Sequence, residues 1–221
     1  MSSLGITSLQ MTGYNGQLIP NRYFKHEQAS TLALIFPGLR YTCDMPLLYY
    51  LTQVLLNKGI DVLQLNSDYT TDSVKALQPA ERLQVMVTDA QAALETAFPD
   101  QGYSNLILAG KSIGTLSLAM LLASGAAAEA ACIWLTPLLH YPFVGDSAIQ
   151  HSGPALFVAS QADETFEAES MAIIKKQKDV KAIIFEEADH SLLIPGDIYK
   201  SLDIMDQVVH AYFDFVGSLF H

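Results

Sequence analysis

The chain alternates short apolar runs with longer segments of helical periodicity over most of its length. Residues 31–36, TLALIF, form a continuous apolar run that ends in Pro-Gly, as expected for a β-strand buried on both faces. The next segment, residues 45–59, has helical spacing and stops at a glycine, a common residue just beyond a helix C-terminus. This alternation predicts right-handed βαβ crossovers, and therefore an α/β fold with a mostly parallel central sheet and helices on both faces.

The same pattern continues to the end of the chain. Further strands are predicted at residues 61–67, 105–110, 131–137, 154–160 and 180–187, and further helices at 79–98, 115–124, 165–177 and 198–220. Residues 6–28 alternate around Asn15-Gly16, a strong hairpin signal. Neither a linker nor a repeat interrupts the 221 residues, so a single domain over residues 1–221 is predicted.

Composition narrows the possible partners. Half of the residues are hydrophobic and 16% are charged, which is typical of a compact globular chain. The formal net charge of -11 disfavours binding to nucleic-acid phosphates or anionic lipid. The longest apolar stretch, residues 115–132, contains Ser, Gly and Glu and is interpreted as buried helix, not as a membrane span. With two cysteines and no signal-peptide pattern in the first sixteen residues, a cytoplasmic location is expected.

The sharpest motif is Gly-Lys-Ser-Ile-Gly at residues 110–114, directly after a predicted strand and directly before a predicted helix. This is the G-x-S-x-G pattern of a nucleophile elbow, in which the two glycines let strand and helix pass closely and the serine projects its hydroxyl. Ser112 is therefore the candidate nucleophile. The alternative is a glycine turn used for packing or phosphate binding. A P-loop is disfavoured because Asn105 stands where its first glycine is required.

A serine hydroxyl needs a general base, and the base needs a carboxylate that fixes its tautomer. His190 follows the last predicted strand, and Asp163 follows the strand before it, so both fall at the sheet edge where sites form. Glu164 is the neighbouring rival for the acid, whereas Asp189 is too close in sequence to reach the same imidazole. Asp163 could instead cap the helix predicted after it.

The negative charge that develops on a substrate oxygen requires amide donors. One should be the amide of Ile113, the residue after the nucleophile. The second should come from the turn at residues 37–40, with the Leu39 amide favoured over that of Arg40. An ordinary strand-ending turn would also explain the Pro-Gly sequence there.

Four residues are expected around the substrate: Gly38, Arg40, Lys111 and His140. Lys111 has two interpretations, since it could steer an anionic substrate or simply be solvated. The segment between the strands at 131–137 and 154–160 has only about sixteen residues, too few for a helical cap. A shallow, uncovered pocket is therefore predicted.

The chain resembles small, uncapped members of the α/β-hydrolase superfamily, near the dienelactone-hydrolase-like esterases. The resemblance extends from FPGL through GKSIG to ASQADE and ADHSL, and these segments supply the order Ser, Asp, His. Pro37 stands where many relatives have His, Lys111 occupies a position often filled by His, and Ser160 replaces a common Gly. The resemblance implies an α/β-hydrolase fold without a large cap domain.

The predicted function is that of a serine hydrolase that cleaves a small carboxylic ester or thioester through an acyl-enzyme. Acyl transfer or amide cleavage by the same three residues is the alternative among enzymes. A non-catalytic binding protein with a hydrolase fold is the alternative from another class. No metal and no cofactor is expected, because no His, Cys or carboxylate cluster has ligand spacing. The oligomeric state is left open.

Overall fold

The computed structural model describes residues 4–98 and 102–219. These residues form one eight-stranded sheet with the strand order β1-β2-β4-β3-β5-β6-β7-β8. The strands are β1 Gly5–Thr7, β2 Asn21–Lys25, β3 Thr31–Phe36, β4 Asp61–Leu65, β5 Asn105–Lys111, β6 Ala131–Leu135, β7 Ala155–Ser160 and β8 Val180–Phe185. From β3 to β8 all strands are parallel, and β2 is antiparallel to both of its neighbours. The predicted mostly parallel sheet is confirmed.

Helices cover both faces of the sheet. They are α1 Pro46–Asn57, α2 Asp72–Lys75, α3 Pro79–Ala97, α4 Gly114–Ala123, α5 Pro142–Gln150, α6 Ala168–Ile174 and α7 Ile198–Ser218. One core lies between the sheet and α3 to α6, and the other lies between the sheet and the pair α1 and α7. Leu34 of β3 enters the first core and Ile35 enters the second, because successive side chains of a strand point to opposite faces. This explains why β3 is apolar throughout.

The N-terminal hairpin is present in a compact form. Asn15 and Gly16 both adopt positive φ, 52° and 74°, in the turn that reverses the chain. A β-bridge between Thr12 and Leu18 flanks this turn. The chain then enters β2, which pairs with β1 and β4 and so attaches the hairpin to the sheet.

The connection between β6 and β7 contains α5, which packs against α4 and α6. Val144 and Ala148 of α5 are buried in the core on that face of the sheet. The helix therefore belongs to the layer that covers the sheet, and this connection inserts no cap domain. Among the described helices, none combines the length and the apolar composition needed to cross a bilayer.

Helix α6 is shorter than the predicted 165–177. It begins after Glu167, whose carboxylate accepts the amides of Glu169 and Ser170 and so caps the helix. The cap is therefore Glu167, and the alternative interpretation of Asp163 as the cap is wrong. Asp163 is left in the loop that follows β7.

Candidate active site

The turn between β5 and α4 has the geometry of a nucleophile elbow. Ser112 has a φ of 54°, a left-handed conformation that costs an L-residue free energy and that clusters at functional sites. A Cβ on Gly110 would lie 2.7 Å from the Gly114 carbonyl oxygen, and a Cβ on Gly114 would lie 2.2 Å from that of Phe36. Both glycines are therefore required by close approach of main chain to main chain, as the motif predicts.

Three predicted residues form a continuous hydrogen-bonded chain. The Oγ atom of Ser112 lies 2.7 Å from Nε2 of His190, and Nδ1 of His190 lies 2.7 Å from Oδ2 of Asp163. The carboxylate is buried, with 2% of its side chain exposed, whereas the imidazole is 34% exposed. The structure thus joins a hydroxyl, an imidazole and a buried carboxylate by two hydrogen bonds, with the imidazole partly exposed to solvent.

Asp163 is held in its ionised form. Burial disfavours the charge, but hydrogen bonds from His190 and Thr165 outweigh burial and lower the pKa of the Asp163 carboxyl below its usual value. The amide and the hydroxyl of Thr165 both donate to Oδ1, each at 2.9 Å. Oδ2 is thereby left to the imidazole. Glu164, the rival for the acid, has an exposed side chain, and it is Asp163 that reaches His190.

The loop that carries His190 is fixed by its own residues. Oδ1 of Asp189 accepts the amides of Ser191 and Leu193, at 2.8 and 3.0 Å. Leu192 adopts a left-handed φ of 58° and is fully buried in the core under α1 and α7. Asp189 therefore shapes the loop, whereas Asp163 is the carboxylate that contacts the imidazole.

The two predicted oxyanion donors lie on neighbouring elements. Gly38 and Tyr41 exchange main-chain hydrogen bonds of 3.0 and 3.2 Å, which close the turn that presents Leu39. The first residue of α4 lies directly against the end of β3, as the close approach at Gly114 shows. Within the part of the chain that the structure describes, neither the Leu39 amide nor the Ile113 amide donates a hydrogen bond to protein. Both remain available to a ligand.

The residues expected around the substrate differ in exposure. Arg40 and His140 are exposed, and Gly38 is partly buried. The His140 ring lies 4.4 Å from that of Tyr141, which is half exposed. Lys111 requires a correction. Only 2% of it is exposed, so it neither faces a substrate as a steering charge nor is solvated.

Comparison with known protein families identifies the family of this chain. A family model described as an alpha/beta hydrolase domain matches residues 41–217, most of the chain. The chain belongs to the α/β-hydrolase family. The predicted α/β-hydrolase fold is confirmed, as is the prediction of an enzyme of this hydrolase class. No curated protein matches this α/β-hydrolase.

Solved structures similar to this α/β-hydrolase share its fold. Est1E from Butyrivibrio proteoclasticus, solved with ferulic acid bound, has a TM-score of 0.72 and 15% identity over 95% of this chain and 100% of its own. The Pyrococcus furiosus esterase Pf2001 has a TM-score of 0.69 and 11% identity over 97% and 93% of the two chains. A cold-adapted esterase from an Arctic intertidal metagenomic library has a TM-score of 0.67 and 17% identity over 95% and 92%.

Two features of this α/β-hydrolase site were missed by the sequence reasoning. Thr165 secures the carboxylate, and the spacing Asp-x-Thr after a strand, which is typical of a side-chain-to-main-chain turn, could have indicated it. Lys111 lies beneath the site, with its Nζ donating to the main-chain oxygen of His190 at 3.0 Å. No local pattern indicates this contact, because its partner is 79 residues away.

Proposed function

We propose that this α/β-hydrolase cleaves a small carboxylic ester or thioester with Ser112 as nucleophile, His190 as base and Asp163 as the carboxylate that orients the base. The observation that carries the proposal is the unbroken chain of two 2.7 Å contacts from Oγ to the buried carboxylate. Family membership and the esterases among the structural neighbours support the choice of an ester bond.

Acylation begins when Ser112 Oγ attacks the carbonyl carbon of the substrate. Nε2 of His190 takes the hydroxyl proton as the carbon–oxygen bond forms, and Asp163 stabilises the resulting imidazolium through Nδ1–H. The carbonyl oxygen becomes an oxyanion and accepts hydrogen bonds from the amides of Ile113 and Leu39. When the intermediate collapses, the bond to the alcohol or thiol breaks and Nε2 returns its proton to that leaving group.

Deacylation repeats the same proton transfers with water. Water attacks the acyl carbon while His190 takes one of its protons, and the tetrahedral oxyanion again uses the two amides. Collapse breaks the bond to Ser112, whose oxygen recovers the proton from Nε2. The products are a carboxylic acid and an alcohol or thiol, and the enzyme returns unchanged.

The surroundings favour small substrates. Helix α5 packs against α4 and α6, and its Val144 and Ala148 are buried in the core, so the connection between β6 and β7 adds no cap domain that could bury a long acyl chain. Gly38, Arg40 and His140 are proposed to contact the substrate. A cytoplasmic location remains part of the proposal, and both thiols, Cys43 and Cys132, are buried and unpaired.

The proposal is tested with a fluorophosphonate probe and with 4-nitrophenyl acetate as a small ester. The wild-type protein should be labelled at Ser112 and should turn over the ester. Ser112→Ala should lose labelling and lose about 10⁶-fold in kcat. Ser73→Ala, which alters an exposed serine on α2, is the matched control and should behave as wild type. A wild-type protein that is neither labelled nor active on the ester would refute the proposed nucleophile and substrate.

A further inference from the structure

Lys111 is a buried cation that the proposed reaction does not use. It ends β5 immediately before the nucleophile, and only 2% of it is exposed. Removing an ammonium group from water costs free energy unless hydrogen bonds and opposite charges compensate. The contacts that compensate this cost indicate what the residue does.

The first contact reaches the loop of the base. Nζ of Lys111 donates to the main-chain oxygen of His190 at 3.0 Å. Lys111 is bonded through its own main chain to Ser112, so its side chain connects the nucleophile and the base by a route separate from the bond between Oγ and Nε2. A hydrogen bond from a charged donor is shorter and stronger than a neutral one.

The second set of contacts reaches the turn that presents the Leu39 amide. Nζ lies 4.9 Å from the centre of the Tyr41 ring, within the range of a cation–π interaction. A Cβ added to Gly38 would lie 2.9 Å from Cδ of Lys111, which shows that the aliphatic stem packs directly under this turn. One side chain therefore contacts both the loop of the base and the turn of the oxyanion donor.

The ammonium is balanced by nearby carboxylates. Burial lowers the pKa of Lys111 to about 8, and attraction to Asp163 and Asp189 opposes that fall. The group is therefore mostly charged at neutral pH. The groups facing it are these two carboxylates, the Tyr41 ring and the His190 main chain. Only 2% of Lys111 is exposed, which is too little for direct contact with a substrate.

We propose that Lys111 is a positioning residue that holds the His190 loop and the Gly38–Tyr41 turn at their working distances from Ser112. This inference rests on the proposed function. Because the side chain is buried beneath the site, it affects the geometry of the reacting groups without adding to substrate binding. Displacements of about 1 Å in such groups can cost up to about 10²-fold in rate.

The test is Lys111→Met, which keeps a stem of similar length and removes the ammonium. With 4-nitrophenyl acetate, kcat should fall by about tenfold while KM changes by less than about twofold, because only transition-state geometry is affected. The free energy of unfolding at pH 7 should change little, because relief from burying a charge and loss of the hydrogen bond to the His190 oxygen oppose each other. Lys176→Met, on an exposed lysine beyond α6, is the matched control and should match wild type in every measurement.

Several outcomes would overturn the inference. One is a kcat within about threefold of wild type, and another is a rise in KM with kcat retained. A third is a loss of kcat that is matched by a loss of stability. If the Met variant does not fold, Lys111→Gln is judged by the same criteria, and failure of both to fold overturns the inference. An inactive wild type would refute the proposed function as well, whereas an active wild type, an inactive Ser112→Ala and a fully active Met variant would refute the positioning role alone.

Discussion

Ser112 combines a strained main chain with firm anchoring. Its amide donates to the Leu135 oxygen at 2.9 Å, and its carbonyl oxygen accepts the Thr115 hydroxyl at 2.6 Å. The left-handed conformation is therefore held by bonds on both sides of the residue. A hydroxyl in a fixed position is already oriented for attack, and this reduces the ordering needed to reach the transition state.

At the residue scale, a pair of variants tests whether Asp163 or Glu164 is the acid that orients His190. Asp163→Asn should lose about 10⁴-fold in kcat, because an amide cannot hold the imidazole in the tautomer that accepts the serine proton. Glu164→Gln, at the exposed neighbouring position, should remain within about twofold of wild type. Steady-state kinetics measure kcat for both variants. The opposite ranking would assign the acid to Glu164, and two small losses would show that neither carboxylate belongs to a triad.

The sequence predicted which residues meet in the candidate site, but it did not predict the residues that hold them in place. Ser112, Asp163 and His190 could be predicted because each follows a strand, and parallel strands bring their carboxyl ends to one edge. The burial of Lys111 could not be predicted in this way. It depends on the Tyr41 turn and the His190 loop closing over the side chain, and local periodicity contains no information on such long-range packing.

At the scale of elements, Gly114 at the start of α4 crosses closely over the end of β3, and this crossing positions the candidate site. The predicted bounds were close for β3, which is a continuous apolar run, and for α3, which has Pro79 at its start. The prediction was poorer for α6, because the loop residues before it resemble a first helical turn and the capping carboxylate lies at Glu167. The four-residue α2 was missed because a segment so short has no periodicity to detect.

Gly114 at this crossing has no room for a side chain. Gly114→Ala should destabilise the protein by about 2 kcal/mol or more, since a Cβ would meet the main-chain oxygens of Phe36 and Pro37 at 2.2 and 2.7 Å. Gly217→Ala, in the last turn of α7, is the matched control. Its nearest contact would be 3.7 Å away, so it should stabilise by up to about 1 kcal/mol. Urea unfolding measures both. Equal effects would show that the crossing can relax.

At the scale of the whole molecule, Lys111 links stability to pH. The pKa of about 8 in the folded protein lies below the ordinary lysine value of 10.5, so the unfolded chain binds this proton more tightly. The contribution of Lys111 to the free energy of unfolding is therefore fully present above pH 10.5, and it is lost as pH falls through about 8.

The stability of wild type relative to Lys111→Met should rise between pH 8 and 10.5, by at most about 3 kcal/mol. Urea unfolding of both proteins at pH 7.5, 9 and 10 measures the difference, and the comparison cancels groups that titrate alike in both. A difference that does not vary with pH would show that Lys111 keeps an ordinary pKa in the folded protein.

The hydrogen bond between Ser112 and His190 also has a consequence for how the protein folds. The two residues are 78 positions apart, and the strands and helices from α4 to β8 lie between them in the chain. Contacts between residues so distant in sequence require a long loop to be closed, which costs entropy and slows folding. In a newly synthesised chain, Ser112 is therefore made before His190 can reach it. The first appearance of the proposed esterase activity during refolding should then mark the moment at which the loop after β8 has brought His190 beside Ser112.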